Sequence, residues 1–346
     1  MLRVNQWVAC AALVSIAGSG SAFAQSACDR ACLGGMLDQY LAAVVAHDKS
    51  KAPLAIGFRQ TENAINAAPG KGVWQSVTAL GKVQRRYFDP VAGQAGYYGT
   101  VMEGNEPAIV TIRLRVENRK LTEAEWYIAR ADDPGMNGPR RAGGPPVNNY
   151  NPDYLELHPP RMGAVPAKER VDRATLARIV DSYFDAITSH DGSIALVHKG
   201  CGRAENGNPA PGGAFLPPAP PRAGQPSPAP ARAGGPQPQQ NGAGSTDCMT
   251  GLQNFNAAIV AARRTPLIDE EAQVVLATGV FIRKPGSPTP RNVASWWFVI
   301  DDAKIRVTYT SMFYPPPGLA VPNWPPYDGN FPLPAELAAP APARAP

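Results

Sequence analysis

The sequence predicts an α+β chain built from two tandem copies of one domain, each with helices packed on a strongly curved antiparallel sheet. A long ungapped self-match carries the duplication. Within each copy, a helix-forming stretch is followed by several strand-like runs, and this order carries the α+β class. The 346 residues suit two domains, and 38 Pro with 33 Gly assign the remaining length to turns and linkers.

The self-match appears when the chain is slid 143 positions against itself. Asp29-Arg30-Ala31 and Leu33 fall on Asp172-Arg173-Ala174 and Leu176. Asp38, Tyr40 and Ala43 fall on Asp181, Tyr183 and Ala186. His47-Asp48, Ser50 and Ala52 meet His190-Asp191, Ser193 and Ala195, and Gly57 meets Gly200. Glu62-Asn63 meets Glu205-Asn206. Further on the offset widens to 178 and then 180, placing Arg85-Arg86 on Arg263-Arg264 and Asp89 on Asp269. One insertion explains the jump. Residues 207–247 hold eleven prolines among Gly, Ala and Gln, a composition that builds no core.

Asp29 and Asp172 are natural N-caps, and the helices they start run to about His47 and His190. In the first copy Leu33, Leu37, Tyr40, Leu41 and Val44 recur on one face. A short helix is expected around Ala52, then a strand leading to Glu62. Another helix is expected over Val73 to Gln84, and over Leu252 to Ala262 in the second copy. Strands follow at Gly96 to Glu103, Ala108 to Val116 and Leu121 to Ala129. Their counterparts are Gln273 to Arg283, Val293 to Ile300 and Lys304 to Met312. The resulting division is a signal peptide at 1–25, a first domain at 26–131 and a Pro/Gly-rich linker at 132–166. The second domain spans 167–314 with the insertion 207–247, and a Pro-rich tail occupies 315–346.

The signal reading rests on Arg3, the apolar stretch Trp7 to Ala17, and Ala22-Phe23-Ala24 before Gln25. It implies a periplasmic or secreted protein with no transmembrane segment. The net charge of +5 falls to +4 without Arg3, and its Lys and Arg are scattered, which argues against nucleic acid as a partner. Removing Cys10 with the signal leaves Cys28, Cys32, Cys201 and Cys248. An even number in an exported chain favours disulfides in one of three pairings. Cys201–Cys248 would close the Pro-rich loop, and Cys28–Cys32 would be local. A zinc site is the alternative, but the CxxxC stands without a histidine at ligand spacing, so no metal is expected.

The helix order, domain length and His-Asp at the end of the first helix resemble the NTF2-like superfamily, the SnoaL-like and ketosteroid-isomerase-like cone folds. The Cys-Asp-Arg-x-Cys-Leu start, the Tyr-Leu-Ala-Ala run before His47-Asp48, and Thr61-Glu62-Asn63 resemble the uncharacterised secreted DUF8021 group. The resemblance covers residues 28–130 well and the second copy more weakly. It implies a cup-shaped fold that often pairs through its outer sheet face, here as an intramolecular pseudo-dimer. It implies little about function, since such folds serve enzymes, carriers and association modules alike.

In ketosteroid isomerases a first-helix tyrosine donates to the developing oxyanion while a carboxylate moves the proton. The resemblance places Tyr40 and Glu62, and Tyr183 and Glu205, in roughly those roles, although the family base is Asp. Glu125, His158 and Asp302 are candidates for a second donor, without spacing support. Asn63 and Asn206 either hold a ligand carbonyl or satisfy backbone at a strand end. Trp74, Trp126 and Trp296 either line an apolar binding pocket or pack as core. His47-Asp48 reads as a helix end and turn, because adjacent residues do not face each other on a helix. Arg86 and Arg264 are expected to pair with Asp89 and Asp269.

No GxSxG, Walker, GxGxxG, HExxH or CxxC motif is present, so no cofactor is indicated. The expectation is an exported small-molecule-handling protein: a cofactor-independent lyase, isomerase or cyclase acting on an apolar or aromatic carbonyl compound. The alternatives are a non-catalytic periplasmic binder of a similar ligand, and a cell-envelope interaction protein using its Pro-rich loop.

Overall fold

The structure is a computed structural model that describes residues 28–139, 141, 144, 149–209, 248 and 257–315. The signal, the Pro-rich insertion beyond Pro209 and the tail from 316 therefore lie outside the described residues. The chain forms two tandem α+β domains, each around one curved six-stranded mixed sheet. The first domain contains helix α1 (Arg30–Val45), strands β1 (Leu54–Glu62) and β2 (Ile65–Ala67), and the short helix α2 (Val73–Ser76). It continues with β3 (Ala79–Asp89), β4 (Gln94–Glu103), β5 (Glu106–Glu117) and β6 (Lys120–Ala129). After helix α3 (Pro152–Leu157), the second domain holds α4 (Arg173–Ser189), β7 (Val197–Glu205) and β8 (Asn208–Pro209). It ends with β9 (Ala257–Asp269), β10 (Val274–Arg283), β11 (Arg291–Asp301) and β12 (Lys304–Phe313).

The strand orders are identical, β2-β1-β6-β5-β4-β3 and β8-β7-β12-β11-β10-β9. The sheets are not purely antiparallel as expected: β1 runs parallel to β6, and β7 parallel to β12. The chain crosses from β2 through α2 to the far edge before meandering back, and such a crossover brings two strands together in the same direction.

Asp29 and Asp172 cap their helices as expected, accepting from the amides of Cys32 at 2.8 Å and Thr175 at 2.7 Å. His47 and His190 take left-handed backbone that ends each helix. Asp48 and Asp191 then accept from the amides and hydroxyls of Ser50 and Ser193, starting a single 3-10 turn in place of the second helix. Gly57 and Gly200, at φ of 80° and 75°, sit where β1 and β7 slip register against their parallel partners. A positive φ at a bulge suits glycine, which explains that repeated pair.

The helix expected over 73–84 is a correction. Only Val73–Ser76 is helical, and β3 begins at Ala79. The amide and hydroxyl of Thr78 both bond the carbonyl of Met102, so β4 captures the chain as a strand. In the second domain the described part of the corresponding stretch, from Ala257, is likewise strand, and 252–256 lie outside the described residues. Edge pairing overrides helix propensity at both sites. Gly99 fits the bulge this creates, since a Cβ there would stand 1.8 Å from the carbonyl of Val83.

Both expected disulfides are present, Cys28–Cys32 and Cys201–Cys248. In each domain the buried face of the leading helix shares an apolar cluster with the sheet. Leu33, Leu37, Tyr40 and Leu41 lie with Tyr97, Ile112 and Trp126, while Leu176, Ile179, Tyr183 and Phe184 lie with Val275, Trp296 and Phe298. A third cluster, with Tyr87, Tyr98, Ile109, Leu267, Trp297 and Tyr309, draws on both sheets. There Trp297 donates to the hydroxyl of Thr111 at 2.9 Å.

The arginine pairings expected within each domain are also corrected. Asp89 is held by Arg173 of the other domain through two bonds of 2.9 and 2.8 Å. Asp269 is held by Arg30 through bonds of 2.8 and 2.7 Å. Arg86 pairs instead with Asp38 at 3.0 Å, and Arg264 with the fully buried Glu125 across the domain junction. Burial works against a charge on Glu125, but Arg264 and Arg113 hold its carboxyl below the usual range. The linker is tied to both sheets. Tyr87 donates to the carbonyl of Arg161, whose guanidinium donates to the carbonyl of Ile300 at 2.6 Å.

Truncating Asp269 to Ala should lower unfolding free energy by about 3 kcal/mol, because it strands a partly buried guanidinium. Arg30→Ala and Asp269→Ala combined should be strongly non-additive in chemical denaturation, which a double-mutant cycle measures.

Candidate functional site

Gln60 and Glu62 are two residues apart on β1 and therefore project to one face. Tyr40 comes to that face from α1, Trp126 from β6 and Trp74 from α2. The groups join in a continuous chain of hydrogen bonds. Trp126 Nε1 donates to the Tyr40 hydroxyl at 2.9 Å, which donates to Gln60 Oε1 at 3.0 Å. Trp74 Nε1 donates to the same Gln60 oxygen at 2.8 Å. Gln60 Nε2 then donates to Glu62 Oε1 at 3.1 Å. Tyr40 and Glu62 are thus brought together, with Gln60 between them.

Glu62 Oε1 also accepts from the amide of Val73 at 3.0 Å, at the start of α2. The residue before it, Gly72, has φ of 60°, and a Cβ there would stand 2.1 Å from Oε1. The glycine lets the helix end close on the carboxylate. Burial pushes the Glu62 carboxyl up, against the opposing Val73 amide, Gln60 amide and Arg130 charge. Burial also pushes the Tyr40 hydroxyl far up, so it stays a neutral donor. Glu103 lies on the same side. Burial opposes its charge, but bonds from Arg130 at 2.6 and 2.8 Å and from Ser76 hold it below the usual range.

The second domain repeats the layout with different chemistry. Arg203 stands at the position of Gln60, hydrogen-bonded to Tyr183, with Nε 3.5 Å from Glu205 Oε1. Its Nη1 donates to the carbonyl of Cys248 at 3.3 Å, beside the disulfide. The strand registers place Thr310 opposite Glu205 where Trp126 stands opposite Glu62. They also place Arg283 at the position of Glu103, and Tyr314 at that of Arg130.

The remaining expected residues fall as follows. Asn63 and Asn206 have left-handed backbone, and each side-chain amide bonds both backbone groups of one residue, Ile128 and Met312. Their polar atoms are engaged at the strand ends. Trp296 packs edge-on against Phe184 and Phe281 in the second core. Among the expected second donors, Glu125 faces the other domain, His158 stacks on Tyr154, and Asp302 lies in the β11–β12 turn. Potential ligand atoms of His198, Asp301 and Asp302 come within 4.8 Å of one another. Asp301, however, accepts from Arg306 at 3.0 Å, a cation that competes with a metal.

Sequence reasoning missed Gln60, Arg203 and Arg283. A signal for the first two existed, since both lie two residues before the repeated glutamate, on its own strand face.

A family model described as "Domain of unknown function (DUF8021)" matches residues 169–312. Among solved structures, a "Crystal structure of protein from Sphaerobacter thermophilus" is similar at 13% identity and a TM-score of 0.24. The match covers 28% of this chain and 94% of that one. No curated protein matches the sequence.

The raised carboxyl of Glu62 has a sign. The folded state holds its proton to higher pH than the unfolded chain, where the ordinary value is 4.5. Stability from this group is therefore present at low pH and lost as pH rises from 4.5 through the folded value. Replacing Glu62 with Gln should remove that slope. The melting temperature of E62Q minus that of the unsubstituted chain should grow with pH across this window and then level off, as calorimetry at stepped pH would read.

Proposed function

We propose that this chain is an exported, tandem NTF2-like protein that binds a small apolar or aromatic ligand, with Glu62 as a principal acceptor. The observation that carries the reading is a duplicated arrangement in which a helix tyrosine is linked through a strand side chain to a glutamate beside the aromatic core. Tyr40, Gln60 and Glu62 are linked in one half, and Tyr183, Arg203 and Glu205 in the other. A few convergent polar groups among aromatic side chains are what orients a small molecule. The two disulfides fit an oxidising compartment, and no helix among the described residues is long and apolar enough to cross a membrane.

Binding is favoured over turnover by where the tyrosine proton goes. An oxyanion donor must aim its O–H at the substrate, but the Tyr40 hydroxyl donates its hydrogen bond to Gln60 Oε1. Tyr40 then acts through Gln60, positioning Glu62. In the second domain the carboxylate of Glu205 faces Arg203, whose Nε lies 3.5 Å from it, so the position of the neutral amide is taken by a cation.

The raised carboxyl of Glu62 supports a second reading, general acid–base catalysis of a lyase or isomerase step. A half-buried carboxylate that binds protons more readily than usual can take one from an acidic carbon and return it elsewhere on the molecule.

Mass spectrometry of the purified chain should identify a co-purified small molecule. Loss of a hydrogen bond to a charged group costs about 1.5–3 kcal/mol, so E62Q should weaken binding of that molecule about ten- to a hundredfold in calorimetric titration. Unchanged affinity in E62Q, with conversion of the molecule by the unsubstituted chain alone, would replace the binding reading by the catalytic one.

A further inference from the structure

Where the first domain carries an internal ion pair, the second carries a cation with no paired carboxylate among the described residues. Glu103 and Arg130 are joined by two short bonds. At the corresponding places stand Arg283 and Tyr314, so the carboxylate has become a guanidinium and the guanidinium a phenol. Arg283 is only 2% exposed. Its Nη2 donates to Asn292 Oδ1 at 2.8 Å, its Nη1 meets the thioether of Met136 at 3.4 Å, and the guanidinium is also hydrogen-bonded to Tyr314. Its Nε is buried with no acceptor, and its charged carbon lies 5.5 Å from the centre of the Tyr314 ring.

No carboxylate pairs with Arg283 among the described residues. Glu205 is near enough to act on it through space, but Glu205 already faces Arg203. An uncompensated buried guanidinium costs several kcal/mol, and it does not escape by losing its proton. Burial does pull its proton affinity down, with Tyr314 and Glu205 opposing. The surroundings offer further polar contacts in the Tyr314 hydroxyl and the Asn292 amide. Both of these bond weakly, at 3.6 Å, to the sulfur of Met312. A stronger acceptor in the same place would draw both donors away from that sulfur.

We infer that the second domain binds a small carboxylate, its oxygens received by Arg283, Tyr314 and Asn292 and its apolar body set against the aromatic core. The guanidinium fork matches a planar carboxylate in two parallel bonds. Tyr183, Phe281, Trp296 and Met312 belong to the apolar cluster that also contains Tyr314, which suits an aromatic acid. The two domains then differ in taste, with an acceptor, Glu62, in the first and a donor set in the second. This inference rests on the reading of the domains as binding modules.

The test is calorimetric titration and thermal melting of the full chain with benzoate, and with benzamide as a neutral molecule of similar shape. Benzoate should bind saturably at one site and raise the melting temperature with concentration, while benzamide should do neither. Arg283→Met should weaken benzoate about a hundredfold or more. Arg283→Lys keeps the charge but not the fork, and should weaken it at least about tenfold. Equal effects of benzoate and benzamide, or none from either, would overturn the site without recourse to any variant. A chain that retains a molecule dependent on Glu62 yet ignores benzoate loses this second site alone.

Discussion

Two carboxylates at the junction of the halves hold the rest of the structure in place. Asp89 and Asp269 each close the turn after a long edge strand by accepting from an amide three residues on, Ala92 and Ala272. Each also accepts from an amide of the opposite domain, Ile268 and Phe88 respectively. The remaining lone pairs take the guanidinium fork of the first helical residue of the other half. Both carboxylates are fully buried, while the guanidinium groups that hold them are partly exposed, so the oxygens are shielded from bulk water at their own end of each bond. One interaction thereby fixes a turn, the start of a helix and the mutual position of the sheets, and it does so twice.

The duplication also separates scaffold from chemistry. Groups that shape the backbone recur with the same job in both halves: the capping aspartates, the left-handed histidines, the Asp-Ser turns, the bulge glycines and the strand-end asparagines. Groups that face the interior beside the repeated glutamate do not. Gln60 becomes Arg203, and Glu103 with Arg130 becomes Arg283 with Tyr314. The altered set makes one interior rich in acceptors and the other rich in cationic donors. A fold that bears such changes in its buried polar groups has its stability elsewhere, in the apolar clusters and the junction.

Much of the architecture was legible along the chain because it is written in local chemistry. Helix starts need an acceptor at the N-cap, strands need alternating branched and aromatic residues, and tight bulges need glycine. The repeat doubled every such signal. The stretch from Thr78 to Gln84 was misread because its residues suit a helix in isolation, and its strand form exists only through pairing with β4. The parallel placement of β1 beside β6 was hidden for a similar reason, since direction depends on where the chain re-enters the sheet.

For the site, the sequence by itself determined which residues recur, and hence that Tyr40, Glu62, Tyr183 and Glu205 occupy equivalent positions. It also determined which cysteines were available and how the helices begin and end. Only the tertiary structure decided who meets whom. Arg30 crosses to Asp269 rather than staying within its own copy, Gln60 stands between Tyr40 and Glu62, and Arg283 is buried away from any paired carboxylate among the described residues. Caps, turns and bulges depend on neighbours a few residues away, whereas these pairings join residues up to 239 positions apart, and no pattern along the chain records that distance.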